Sequence, residues 1–239
     1  MTMIRRFWLE AAAVLIVAGS LFRSFTVEAD VVQGDVQRIM YVHVPSAWLA
    51  FLAFVVTMIG SVAWLRTRNR RWDRLAASSA EIGVVFTGLA ILAGMIWARP
   101  VWGQFWTWEP RLVTTALLFF VYLGYLALRR AVVDPVQRAQ RAAIMGIVAA
   151  VQIPIVYYSV NWWRSLHQAS SRNSIDTPLR ITLLLGVLAF TFVYAVLLRR
   201  RLELAHLEEE LEARRFEASP DVAGAGITAP SLAKANKHD

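Results

Sequence analysis

Cysteine is absent from this 239-residue chain, which excludes disulfides and thiol ligands. Lysine is confined to Lys234 and Lys237 near the end, so the net charge of +8 is carried by arginine. No glycine-rich phosphate loop occurs, which removes nucleotide hydrolysis from the chemistry of this chain. There is no internal repeat. Charged residues make up 18% of the sequence and hydrophobic residues 57%. A soluble domain of this length is rarely so apolar, and the membrane class comes first.

What is present is a series of apolar runs. Ala47–Leu65, Ile82–Ala98, Leu112–Leu128, Ala142–Val160 and Ile181–Leu198 are free of charged residues. Each approaches the roughly 20 residues that cross about 30 Å of hydrocarbon. Gln152 and Pro154 interrupt the fourth, and neighbouring helices can satisfy the backbone group that Pro154 frees. A further run, Ala11–Phe22, lies between Glu10 and Arg23. Arg5, Arg6 and Val27-Glu28-Ala29 fit a cleaved signal peptide, but a retained span over Phe7–Val27 with both charges snorkelling is the preferred reading. The expectation is an all-α integral membrane protein, a six-transmembrane-helix bundle with both termini cytoplasmic.

Arginine placement orients the bundle. Arg5 and Arg6, the Arg66–Arg74 linker, the Arg129–Arg141 linker and Arg199–Arg201 all fall on one side of a six-span topology, which the positive-inside rule makes cytoplasmic. Because these arginines sit in short turns between spans, nucleic-acid binding is excluded as a function. The membrane domain is then residues 1–201, with outer loops at 28–45, 99–111 and 161–180. Residues 202–239 form a cytoplasmic tail. Leu204, Leu207 and Leu211 mark a short amphipathic helix in it, and composition predicts disorder from Ser219 onward. Glu10 and Glu81, close to span ends, are read as structural, and His206 and His238 as solvated.

The outer side concentrates aromatics. Trp97, Trp102, Trp106 and Trp108 fall within twelve positions, interleaved with Gly103, Phe105, Glu109, Arg99 and Arg111. An interfacial aromatic belt accounts for Trp48, Trp64 and Trp97, but poorly for Trp102 to Trp108 between Pro100 and Pro110. That stretch reads as a short helix or loop lying in the interface, shaped for a large, flat, apolar ligand carrying negative charge. If helical, it aligns Trp102, Trp106 and Glu109 on one face, and Gly103 admits a close approach. Glu109 either touches the ligand, pairs with Arg111 or caps the following helix. Arg111 is also a candidate for a cation–π contact with a nearby tryptophan.

Two histidines reach the same side, His43 beside Tyr41 and Trp48, and His167 beside Trp162 and Trp163. Two neutral imidazoles can occupy both axial positions of a haem iron. Arg99, Arg111, Arg164, Arg172 and Arg180 are available for its propionates. Without C-x-x-C-H, any such haem is held non-covalently.

These residues carry a family resemblance. W-G-Q-F-W-T-W-E-P-R-L resembles the signature W-G-x-x-W-x-W-[DE]-x-[RK] of the tryptophan-rich haem-handling proteins of cytochrome c biogenesis. Q-G-D-V-Q-R-I-M-Y-V-H-V-P and I-P-I-V-Y-Y-S-V-N-W-W-R-S-L-H-Q narrow it to the six-span cytochrome c maturation protein C family, also called haem exporter protein C. The resemblance covers about Trp8 to Arg200. It implies axial ligation of haem b by His43 and His167, porphyrin contact by Trp102, Trp106 and Trp108, and a role for Arg111. The family usually has aspartate where this chain has Glu109. The resemblance also implies partners: an ABC transporter with its ATPase and membrane subunits, a small single-span membrane protein, and a periplasmic haem chaperone. The expected function is to bind haem at the outer face and deliver it to that chaperone, with no enzymatic activity of its own. The competing readings are an aromatic-gated small-solute transporter and a bis-histidine electron-transfer protein.

Overall fold

The computed structural model describes residues 3–167 and 176–217. Arg172, His238, the two lysines and the segment from Ser219 lie outside the described residues. Among the described residues seven α-helices follow in order: α1 Met3–Thr26, α2 Met40–Thr67, α3 Arg70–Trp102, α4 Pro110–Ala131, α5 Pro135–Ala150, α6 Gln152–Trp162 and α7 Thr177–Glu217. A short 3-10 turn, Asp35–Ile39, precedes α2. Among the described residues, six segments are long and apolar enough to cross a membrane, with α5 and α6 forming one of them.

Local chemistry sets the helix ends. Asn69 accepts from the Arg71 amide to start α3, and Asp134 accepts from the Gln137 amide at 2.6 Å to start α5. Pro110 and Pro135 occupy first-turn positions, where a missing N–H costs nothing. The α5–α6 break falls at Val151, just ahead of Pro154. Gln152 at the break donates to the Thr114 carbonyl of α4 at 3.1 Å, so the polar side chain inside the span is satisfied.

Lipid is as apolar as leucine, so close packing holds such a bundle together. α2 and α3 are antiparallel neighbours drawn close by small residues. A Cβ on Gly83 would lie 2.5 Å from the Phe54 ring, so only glycine fits there. Phe54 in turn stacks on Tyr122 of α4, centroids 3.6 Å apart and planes within 10°. Truncating Phe54 to alanine is expected to destabilise the fold by about 3–5 kcal/mol, read as a lowered midpoint of thermal unfolding in detergent.

The arginine-rich end is stitched by ion pairs. Arg129 bonds Asp73 through two contacts, Arg74 bonds Glu209 at 2.6 Å, Arg200 bonds Glu10, and Arg201 bonds Glu81. Glu10 and Glu81 thus serve structure, in agreement with their reading from sequence. His206 is exposed and pairs with Glu210.

Several element boundaries differ from the sequence reading. α2 begins at Met40 rather than Ala47, so His43 sits on a helix and not in a loop, and Pro45 lies inside that helix. The tail helix is not separate: α7 runs unbroken for 41 residues through Arg199–Arg201, with Leu204, Leu207 and Leu211 exposed on its extension. Ion pairs of Arg200 with Glu203 and Arg201 with Glu208 carry the helix across the charged boundary.

Candidate functional site

The end of the bundle opposite the ion pairs brings the outer loops together. The first loop is rigid. Asp30 accepts from the amides of Val32 and Gln33 at 2.9 and 2.7 Å, and Gly34 adopts φ +59°, a left-handed conformation suited to glycine. Arg38 bonds the carbonyls of Ser24 and Val27, fastening this loop to the end of α1.

His43 follows in the first turns of α2 and turns toward α3. Its Nδ1 lies 2.8 Å from the Ala90 carbonyl. A carbonyl only accepts, so Nδ1 carries the proton and Nε2 keeps its lone pair. Gly94, one turn beyond Ala90, makes room for the ring: a Cβ there would sit 2.9 Å from His43 Cε1. The Trp97 indole meets the imidazole edge-on at 5.8 Å, and its Nε1 donates to Gln33 at 2.9 Å. One helix, α3, therefore seats this histidine at three positions, Ala90, Gly94 and Trp97.

His167 is reached by a different route. α6 ends at Trp162, Trp163 turns extended, and the chain runs back over the start of α4. Glu109, only 7% exposed, accepts from the Ser165 hydroxyl, and the His167 amide approaches the same carboxylate at 3.4 Å and Ser165 Oγ at 3.1 Å. Arg111 donates to the Tyr157 carbonyl at 2.7 Å and lies 3.4 Å from His167 Nδ1. The two imidazole centroids end 6.4 Å apart, with planes inclined by 37°. Two imidazoles sharing one metal through bonds of about 2 Å place their ring centres roughly 6 Å apart. Among the described residues no three His, Cys, Asp or Glu side chains converge on one point, so a bare ion has no cage. A pair suits a metal whose other ligands come from a macrocycle.

The tryptophan segment is helical only as far as Trp102. α3 stops at Trp102 because Gly103 takes φ +79° and its amide closes on the Arg99 carbonyl. Residues 103–109 then run as an irregular loop until Pro110 starts α4. The one-face alignment of Trp102, Trp106 and Glu109 conditional on a helix is accordingly not formed. Gly103 serves here as a helix terminator, with nothing within 4 Å of a would-be Cβ. Trp106 and Trp108 meet edge-on at 6.0 Å, Trp102 and Trp106 are half-buried, and Trp108 is 85% exposed. Tyr158 stacks on Trp162, which meets Trp163 edge-on, and both tryptophans and Arg164 are exposed. The guanidinium over a ring in this loop is Arg99 on Phe105 rather than Arg111 on a tryptophan. Glu109 makes no side-chain cap to its own helix.

Thr107 and Glu109 of this loop and Arg111 in the first turn of α4 each carry a buried polar atom without a hydrogen-bond partner. Such atoms are rare and mark unmet bonding capacity beside the histidine pair. Sequence reasoning missed Ala90, Gly94, Gln33, Tyr157 and Ser165. Their residue types carry no signal, because each acts through a contact between distant elements. Trp97, assigned to the belt, belongs to the site.

A family model described as "Heme exporter protein C" matches residues 1–217. A Bradyrhizobium diazoefficiens protein named "Heme exporter protein C" is 40% identical over 216 residues, covering 88% of this chain and 80% of that protein. The Escherichia coli K12 protein of the same name is 33% identical over 198 residues, covering 82% and 81%. An Arabidopsis thaliana "Putative cytochrome c biosynthesis ccmC-like mitochondrial protein" is 36% identical over 202 residues, covering 80% and 77%.

Proposed function

The chain belongs to the haem exporter protein C family, and from that premise we propose that it holds haem b non-covalently at the periplasmic face of a bacterial inner membrane and delivers it to a periplasmic haem chaperone. The observation that carries this reading is the pair His43 and His167, 6.4 Å between ring centres, at the end of the bundle where Trp108, Trp162 and Trp163 are exposed. His43 and His167 would ligate the iron as axial partners. Trp102, Trp106 and Trp108, with Trp162 and Trp163, would cover the porphyrin. Arg111, and Arg164 at the exposed edge, would meet the propionates.

The supply of haem and the hydrolysis of ATP would belong to partners: an ABC transporter with its ATPase and membrane subunits, and a small single-span protein. The exposure of Trp108, Trp162 and Trp163 supports release, since a site that must hand over its cargo keeps an edge open. An electron-transfer protein has no such need.

Mixing the haem-loaded protein with haem-free chaperone tests the proposal. Transfer of the Soret absorbance to the chaperone fraction is expected. Retention of haem through repeated exchange would favour electron transfer instead. Trp108→Ala makes a narrower prediction. A side chain so exposed contributes within about 0.5 kcal/mol to folding, so thermal stability should hold while haem dissociates several-fold faster in a stopped-flow competition assay.

A further inference from the structure

We propose that Glu109 is a positioning residue for His167: its buried carboxylate fixes the loop that presents the second imidazole, and it does not contact the haem. The inference rests on the haem reading above and assigns a distinct role within it.

Four observations carry it. The Glu109 carboxylate is almost fully buried, and its Oε2 is engaged by Ser165, two residues before His167. The His167 amide points into the same cluster, 3.1 Å from Ser165 Oγ and 3.4 Å from Glu109 Oε2. Carboxylate, hydroxyl and amide therefore close a small ring around the backbone of the ligand residue. The base of that ring is stiff. Glu109 is extended at φ −87° and ψ 153°, the region imposed by the following Pro110, and it stands at the first turn of a membrane helix. Finally, Arg111, two residues on, grips the other end of the same excursion by donating to the Tyr157 carbonyl. The start of α4 thus holds the α6–His167 segment at both ends, while His43 is held by α3.

Electrostatics points the same way. Haem presents two anionic propionates, so a buried carboxylate aimed at them would repel the ligand. Its Oε2, turned toward Ser165 and the His167 amide, accepts from donors instead. Groups that orient a metal ligand from behind commonly change metal affinity by about 10–100-fold.

The test compares haem-loaded wild type with Glu109→Ala, Glu109→Gln and Ser165→Ala, reading coordination by absorption and electron paramagnetic resonance and haem loss by competition. Wild type should be six-coordinate and low-spin. Glu109→Ala should become largely high-spin as His167 leaves the iron, and lose haem about 10-fold faster. Ser165→Ala should shift the same way by less. Glu109→Gln keeps an oxygen acceptor for Ser165 and should retain most of the low-spin signal. Added imidazole should restore six-coordination in Glu109→Ala.

A low-spin Glu109→Ala overturns the inference, as does a Ser165→Ala variant identical to wild type. Glu109→Gln matching a high-spin Glu109→Ala overturns it as well, because charge rather than bonding would then be required. Ser165 lies in an outer segment away from the packed core, so its variant decides the matter even where Glu109→Ala does not fold. Wild type that takes up no haem overturns the haem reading itself, an outcome separate from all of these.

Discussion

Gly94→Leu is expected to abolish haem binding with both histidines still in the chain. A Cβ at position 94 alone would lie 2.9 Å from His43 Cε1 and 3.2 Å from Nδ1, closer than packed atoms approach. α3 cannot retreat, because small residues lock it against α2 further down the pair. The imidazole must therefore rotate away, giving up its bond to the Ala90 carbonyl and its line toward His167. Gly94→Ala should show a graded loss, since the ring needs to yield by only a few tenths of an ångström. Haem titration followed at the Soret band checks both variants. A Gly94→Leu protein that binds as tightly as wild type would mean that His43 does not need this seat.

Arg129→Met should give the largest loss of stability among charge substitutions at the opposite end. Arg129 and Asp73 form a two-pronged pair with contacts of 2.6 and 2.9 Å, and both side chains are only about one-sixth exposed. The pair joins the last turn of α4 to the first turn of α3. Removing the guanidinium leaves the Asp73 carboxylate nearly buried and uncompensated, a loss of about 3 kcal/mol or more. The double variant Arg129→Met, Asp73→Leu should recover much of it, because an apolar pair of similar volume is tolerated where a lone charge is not. Thermal unfolding in detergent reads both. The haem spectrum of the folded fraction should not change.

The sequence made the six spans legible because lipid demands long runs without charge: five contain none, and the first carries only Glu10 and Arg23 near its ends. It also placed both candidate ligands and the tryptophan segment on one side. It was less informative about where elements end. The apolar run begins at Ala47 and leaves 28–45 as a loop, yet α2 starts at Met40 and carries Pro45 internally, where Gly186 of α7 packs close to the proline ring and the Tyr41 carbonyl. The change in composition after Arg201 suggested a new element, yet acidic partners three to seven residues along let α7 continue. The supports of the site were hidden for a different reason. Gly94 and Ala90 look like ordinary span residues, and Ser165 like an ordinary loop residue. Their roles arise only when α2 meets α3 and when the α6 loop meets α4.

In the proposed haem complex one metal sits between His43 and His167. Electron paramagnetic resonance of the haem-loaded ferric protein tests it most directly, with His43→Ala and His167→Ala measured beside wild type. A low-spin bis-imidazole spectrum in wild type, lost in each single variant, is the predicted result. A wild-type spectrum that persists unchanged in both variants would contradict the account.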